Sequence, residues 1–436
     1  MMNQFLRNLT WSDKVITSLV IGSLLTLNTP GVAQAKLEDS PKIIVDEVWQ
    51  IVNNEYVDQD FNHVNWLQIR QQLLSRDYTS TEEAYSTIRE TLKQLGDPYT
   101  RFLEPKEFES LTNQTSGEMS GIGVTIEIDP ETKELVVVEP VKDSPAELAG
   151  IQPGDLLKKI DGKTTALMSL DQASETIQGE VGTNVELELY RQGEGVVKVT
   201  ITRAQIELPS VSYNVKQEGK MQIGYIRLSE FSSHAAEQMK EAIQSLQESG
   251  VSGFVLDLRG NPGGLLYASV DIARMWLEEG VIVKTLDQPQ TCSTPESECG
   301  YTEIAADGTA ITDLPLVILV DGYSASASEI LAGALQENGR ATLIGTRTFG
   351  KGTVQSVHTL SDGSGLAITI SRYYPPSGTN INKKGINPDI AVELSTAEEL
   401  IISNDPSLLG TKADPQYLKA IAFLNSSYRP QTSLTP

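Results

Sequence analysis

From residue 223 to residue 344 the sequence alternates short runs of strand character with longer runs of helical period, and few architectures accept that pattern. The strand-like runs are 223–228, 254–258, 316–320 and 342–344, and the helix-like runs between them are 235–246, 265–276 and 326–336. Strands joined through helices pair in parallel and are covered on their faces, so the pattern predicts an α/β domain with a largely parallel sheet. Active sites gather in the loops at the strand ends of such sheets.

The N-terminal part reads differently. Arg7 and Lys14 precede an apolar run from 15 to 27, after which small residues end in Ala33-Gln34-Ala35. That is the layout of a secretory signal peptide cleaved after Ala35, and the run is shorter than the roughly 20 residues that cross a bilayer. Export to a periplasm or an equivalent lumen is expected. From 41 to 111 the apolar spacing is helical, with one stripe of Ile44, Val48, Ile51 and Val52 and another of Tyr85, Ile88, Leu92 and Leu95. Three or four short helices are expected, broken at Gly96-Asp97-Pro98 because proline disfavours helix in the residue before it. Their expected role is packing, or contact between copies in a homo-oligomer, rather than chemistry.

From 117 to 203 short β-type runs appear at 124–126, 135–138, 185–190 and 196–201, around the segment SPAELAGIQPGDLLKKIDGK, 144–163. Ser144 can cap a short helix, Pro145 suits its first turn, and Gly150 can end it in the left-handed conformation. This segment resembles the helix, turn and strand of a PDZ domain. Gly121-Ile122-Gly123-Val124 looks like that family's carboxylate-binding loop. Its two glycines would let consecutive N–H groups converge on a terminal carboxylate while the peptide adds as a strand.

Three glycine-marked loops of the α/β domain carry candidate chemistry: DLRGNPGGLL (257–266), DGYSASASEIL (321–331) and FGKGTVQ (349–355). In the second, a strand ends at Val320 and a helix starts near Ser326, so a hydroxyl lies at the positive helix end, where backbone N–H groups can hold an oxyanion. Ser324, Ser326 and Ser328 all compete on this argument, with Ser324 the best suited to a plain capping role. A serine needs a base. The chain has three histidines, His63, His234 and His358, and none sits in a glycine loop or beside an acid that would mark it as catalytic. The loop is also not the Gly-x-Ser-x-Gly elbow of α/β-hydrolases. Lys351, between Gly350 and Gly352, is the better candidate, provided that burial lowers its pKa from about 10.4 toward neutrality.

These loops, in this order behind a PDZ domain, resemble the carboxyl-terminal processing peptidases, or tail-specific proteases, and the similarity covers nearly the whole mature chain. The resemblance implies an α/β catalytic domain of ClpP/crotonase-like fold with an inserted, mainly-β PDZ domain and an N-terminal helical region. It assigns Ser326 as nucleophile, Lys351 as base and Gln355 as the residue that orients the base, and it gives supporting roles to Asp257, Arg259 and Glu329. An Asp-x-Arg pair at a strand end can brace the glycine loop, whereas Glu329 could equally be a solvated first-turn acid. The oxyanion hole would be the N–H of Ala327 with that of Gly263 or Gly264, Gly264 being preferred. The expected boundaries are 1–35 signal peptide, 36–112 helical region, 113–203 PDZ domain, 204–220 linker, 221–400 peptidase domain and 401–436 C-terminal helix and tail. No cofactor or metal is expected. The expected partners are proteins with free C-termini, met in a periplasm or, in a photosynthetic cell, the thylakoid lumen.

The net charge of −24 over 436 residues offers no basic surface for nucleic acid. The cysteines, Cys292 and Cys299, share an insert foreign to the family pattern and could pair or stay free. Two rival readings are weaker. An inactive PDZ scaffold would have no need to keep Ser326, Lys351 and Gln355, and acyl-thioester chemistry of the crotonase kind fits neither the PDZ domain nor export.

Overall fold

A computed structural model describes residues 41–287 and 302–427. The residues read as a signal peptide, and both cysteines, lie outside the described residues. No helix among those described is long and apolar enough to cross a membrane.

The peptidase domain is built on a sheet of Val211–Glu218, Met221–Leu228, Gly253–Asp257, Leu316–Val320, Ala341–Gly345 and Ile390–Ala391, in that order. Only the first pair is antiparallel. Period-two alternation sends Leu316, Ile318 and Val320 to one face and Val317 and Leu319 to the other, and all five are buried. The first face is covered by the helices Ala235–Glu248, Leu266–Trp276 and Ala327–Glu337. Phe254 meets Trp276 there edge to face, with ring centroids 5.2 Å apart. The second face is closed by Pro415–Ser427, through Tyr417, Ala420, Ile421 and Leu424. That helix therefore belongs to the core of the peptidase domain, not to an appendage beginning at residue 401. Burying each Ile or Leu contributes about 1.5–3 kcal/mol.

A second, antiparallel sheet carries Thr353–Thr359 and, at one edge, the short strand Arg101–Leu103, both paired with Gly365–Tyr374. The N-terminal helices Pro41–Glu55, Trp66–Ser75 and Thr81–Lys93 pack on this sheet, placing Val48, Val52, Ile88 and Leu92 against Phe102, Leu366 and Ile368.

The PDZ fold contains the strands Val124–Ile128, Leu135–Pro140, Leu156–Ile160, Asn184–Arg191 and Gly195–Thr202 around its own core. Ser144 accepts from the Glu147 N–H at the start of the helix Pro145–Leu148, and Gly150 after it has φ +77°. Two boundaries differ from expectation. The helix Pro105–Ser116 runs across the 112/113 boundary and stops at Gly117. The presumed linker 204–220 is mostly strand: Ala204–Glu207 pairs with Glu118–Gly121, and Val211–Glu218 forms a hairpin with Met221–Leu228, with Pro209 between the two. The chain thus enters and leaves the PDZ domain through one antiparallel pair.

Candidate active site

Ser326 caps the helix Ala327–Glu337 at φ 56°, ψ −115°, a conformation that costs an L-residue about 1–3 kcal/mol and must be held by its surroundings. The Ser326 N–H donates to Glu329 Oε2 at 3.0 Å, its carbonyl accepts from the Tyr373 hydroxyl at 3.1 Å, and the preceding Ala325 N–H donates to the Asn261 carbonyl at 3.0 Å. The neighbouring serines are committed elsewhere. Ser324 Oγ donates to the Leu258 carbonyl at 2.8 Å and Ser328 Oγ to the Asn261 carbonyl at 3.0 Å, both fully buried. Ser324 is therefore a tie between loops rather than a helix cap. Ser326 alone of the three lines a cavity of about 290 Å³, shared with Gly263, Gly264, Ala327, Lys351 and Gln355.

The glycine loop is pressed against this serine. A Cβ on Gly263 would lie 2.8 Å from the Ser326 Cβ, and one on Gly264 would lie 2.4 Å from the Phe231 carbonyl oxygen, so neither position accepts a side chain. The Gly263 N–H donates to the buried Asn261 Oδ1 at 2.8 Å. No backbone hydrogen bond of the Gly264 or Ala327 N–H is found among the described residues, which leaves these two donors for a ligand in the cavity.

Glu329 is not a solvated acid. It is 1 % exposed and gathers four donors: the Ser326 N–H, the Thr348 hydroxyl at 2.6 Å, the Gly350 N–H at 2.8 Å and the Lys351 N–H at 2.9 Å. One carboxyl group therefore sets the register between the serine loop and the lysine loop. Burial pushes its pKa above the usual carboxylate value against the pull of these donors. Tyr373 makes a second link, donating to the carbonyls of both Ser326 and Lys351.

The Lys351 amine lies 4.9 Å from the centre of the Tyr99 ring. Burial first, and then the Arg101 charge, lower its pKa below the usual lysine value, while Asp97 and Glu329 oppose the shift. Gln355 lines the same cavity but has other partners than expected: its amide donates to Thr353 Oγ1 at 2.9 Å and Thr369 Oγ1 at 3.2 Å, and among the described residues it makes no hydrogen bond to Lys351. The Thr369 hydroxyl donates a hydrogen bond to Asp97 Oδ2 at 2.6 Å, which leaves an oxygen lone pair to accept from Gln355.

Asp257 and Arg259 form a buried fork, with Nε to Oδ1 at 2.9 Å, and Arg259 also binds Asp414 and Gln416. Burial pushes the Asp257 carboxyl up, but Arg259 and the Tyr225 hydroxyl hold it below the usual range. The pair thus fastens the strand end to the closing helix. The glycine loop itself is braced by Asp321, which accepts from the Gly260 N–H at 3.0 Å. His234 and His358 face Glu118 and Glu55 respectively and do not line the cavity.

Reading the sequence missed Tyr99, Arg101, Tyr373 and Asn261. The first two correct the expectation that the N-terminal region plays no part in the site. Their signal was present, since Gly96-Asp97-Pro98 ends a helix and leads straight into a short strand.

In the PDZ domain only Gly123 of the candidate loop is left-handed, at φ +74°, where a Cβ would lie 2.4 Å from the Ser144 Cβ. Gly121 is strand, paired with Ala204. The Ile122 carbonyl accepts from the Ala146 N–H and that of Gly123 from the Val141 N–H. The N–H groups of Ile122 and Gly123 make no backbone hydrogen bond among the described residues, and Val124 opens the strand beside them.

An α/β fold of this connectivity, carrying a PDZ domain and a cavity where a serine, a buried amine and two free N–H groups meet, is the architecture of a serine peptidase. Residues 222–392 match the model of peptidase family S41, and residues 136–191 match that of the PDZ domain. A carboxyl-terminal-processing protease of Synechocystis sp. is 43 % identical over 413 residues, covering 93 % of this chain and 92 % of the relative. Carboxyl-terminal-processing peptidase 2 of Arabidopsis thaliana, a chloroplastic protein, is 37 % identical over 386 residues, covering 86 % of this chain and 73 % of the relative. The structure of a photosystem II D1 C-terminal processing protease superposes with a TM-score of 0.52 at 36 % identity, covering 87 % of this chain and 99 % of the other. The chain belongs to peptidase family S41, among its carboxyl-terminal-processing serine peptidases.

Proposed function

We propose that Ser326 is the nucleophile of this peptidase, that Lys351 is its general base as a neutral amine, and that the Ile122 and Gly123 N–H groups hold the substrate's terminal carboxylate. The observation that carries this reading is the single cavity that Ser326 and Lys351 share, while Ser324 and Ser328 are tied to backbone carbonyls. Lys351 Nζ takes the Ser326 proton as Oγ bonds to the peptide carbonyl carbon, and the oxyanion is received by the Gly264 and Ala327 N–H groups. When the C–N bond breaks, the ammonium returns its proton to the leaving amine. Water, deprotonated by Lys351, then releases the acyl group as a carboxylate and Ser326 regains its proton. Glu329 and Tyr373 keep the two loops in register, and Gln355 acts through Thr369 and Asp97.

The substrate class is a protein with a flexible, free C-terminus, cleaved upstream of the captured end. The name of one solved relative, a photosystem II D1 C-terminal processing protease, supports a photosynthetic precursor such as D1 as substrate, and the layout of residues 1–35 as a signal peptide supports action of the mature enzyme in a lumen or periplasm. Leu67 and Leu74, exposed on the helix Trp66–Ser75, support that region as a contact between copies of the chain, which sedimentation of the mature protein tests. The deciding experiment compares an unfolded protein bearing a free C-terminus with its C-terminal amide. Selective loss of the free-ended form, abolished in Ser326→Ala, is expected. Equal cleavage of both forms refutes the carboxylate reading, and an active Ser326→Ala protein refutes the nucleophile.

A further inference from the structure

Lys351 has to take a proton and give it back, so its environment must neither trap the ammonium nor forbid it. Four groups act on its amine from two regions: Asp97, Tyr99 and Arg101 from the segment running into the edge strand, and Glu329 from the serine helix, while Tyr373 binds the Lys351 carbonyl and Glu230 lines the same cavity. Glu329 and Tyr373 are occupied in joining the loops. Asp97 is engaged as well. It accepts from the Tyr99 N–H at 3.0 Å, from the Thr100 hydroxyl at 2.7 Å and from the Thr369 hydroxyl at 2.6 Å, which fixes the backbone around Tyr99.

Arg101 differs from all of these. It is an exposed residue whose backbone is held by pairing with Ala367, and among the described residues its side chain makes no ion pair or hydrogen bond. Both Arg101 and Ala367 line the cavity that contains Ser326 and Lys351, and Arg101 also lines an adjoining cavity of about 550 Å³ over the helix Pro105–Ser116. Glu107, which shares that second cavity, is paired with Arg89 instead, so no carboxylate lies at ion-pair distance from Arg101 among the described residues.

We propose that Tyr99 and Arg101 are positioning residues for the base, Tyr99 seating the Lys351 amine against its ring face and Arg101 holding an unneutralised like charge at the mouth of the same cavity. The inference rests on the reading of Lys351 as the base. The two act in opposite senses: a ring face favours the ammonium, whereas a nearby guanidinium disfavours it. Between them the amine is kept ready for both halves of the proton transfer. The direction of the Lys351 shift, with Arg101 its second cause after burial, agrees.

The test is the pH dependence of kcat/KM on a peptide substrate, measured for the mature protein and its variants. Arg101→Gln is expected to move the limb on which activity rises toward higher pH by roughly half a unit, so that kcat/KM on that limb falls about threefold. Arg101→Lys is expected to restore it. Added salt should move the wild-type limb the same way and leave Arg101→Gln unmoved, because an exposed charge is screened. Tyr99→Leu is expected to move the limb down and Tyr99→Phe to leave it in place. A raised KM with an unmoved limb in Arg101→Gln makes Arg101 a substrate contact and overturns the inference, as does a shift of the same sign in Arg101→Gln and Tyr99→Leu. Lys351→Arg separates the two levels: if it stays active the base is misassigned, and if it is dead while Arg101→Gln leaves the limb unmoved only the present inference fails.

Discussion

Replacing Glu329 by glutamine tests whether one buried carboxyl group holds the serine loop and the lysine loop together. The amide oxygen can take the place of Oε2 and still accept from the Ser326 and Lys351 N–H groups. The amide nitrogen then replaces Oε1, where the Thr348 hydroxyl can turn to accept from it but the Gly350 N–H faces it as a second donor. One orphaned buried donor costs about 1–3 kcal/mol. Alanine would orphan all four donors at once, and at about 1 kcal/mol or more each it would remove a large part of a typical folding free energy of about 5–15 kcal/mol. Glu329→Gln is thus expected to fold, with a lowered denaturation midpoint, and to lose kcat by about tenfold or more with little change in KM, because the unpaired donor sits beside Lys351. The pH dependence has a definite sign. A carboxyl group with its folded pKa raised holds a proton that the unfolded chain has released, so its contribution to stability falls as pH rises above about 4.5. The glutamine variant should lack that decline. Denaturant titration across pH, together with steady-state kinetics, measures both effects, and a Glu329→Ala protein with wild-type stability and kcat would refute the reasoning.

Four further outcomes follow from the same geometry. Ser328→Ala, which loses one buried hydrogen bond, should cost about 1 kcal/mol in urea unfolding, and Ser324→Ala, which loses the bonds to the Leu258 carbonyl and from the Asp321 N–H, about 2 kcal/mol, yet both should keep activity; inactive but folded proteins would mean that the wrong serine has been named. Lys351→Arg should lose at least about a hundredfold in kcat/KM because a guanidinium does not deprotonate. Lys351→Met should be more stable than wild type at neutral pH, with the difference shrinking as pH rises toward 10.5, because a lysine with its folded pKa lowered is destabilising while it must be charged; a pH-independent difference in melting midpoint counts against it. Gly264→Ala should abolish turnover, since its Cβ would strike the Phe231 carbonyl at 2.4 Å, and an active variant would remove Gly264 from the oxyanion site.

Much of this was legible in the sequence where local rules and tertiary demands coincide. The parallel strands are buried on both faces, so 316–320 reads as a continuous apolar run, and the structure gives Leu316–Val320. Glycine and small residues marked the loops that approach each other closely. What escaped was decided by the tertiary setting of each residue rather than by its local sequence. Val211–Glu218 is a sheet-edge strand with mostly exposed side chains, so it shows no apolar alternation and reads as linker. Glu329 obeys every rule for an exposed first-turn acid, and only the arrival of Thr348, Gly350 and Lys351 makes it internal. Arg259 could be seen to pair with Asp257 two residues away, but Asp414, which takes its other edge, lies 155 residues on. Gln355 was given to Lys351 by likeness, whereas its hydrogen bonds follow from Thr353 and Thr369 standing beside it in the sheet.

The antiparallel pair of Glu118–Gly121 with Ala204–Glu207 means that the PDZ domain is plugged into the peptidase through a single two-pronged connector. Gly121 and Ala204 stand opposite each other in that ladder, at the roughly 5 Å spacing of paired strands, so a two-residue turn could close the gap if everything between them were cut away. The same holds in reverse: any domain whose ends lie side by side could be spliced in without rerouting the peptidase chain. Recognition and cleavage are in this sense separable parts, and a change of target could be made by exchanging the cassette while the cutting apparatus is left untouched.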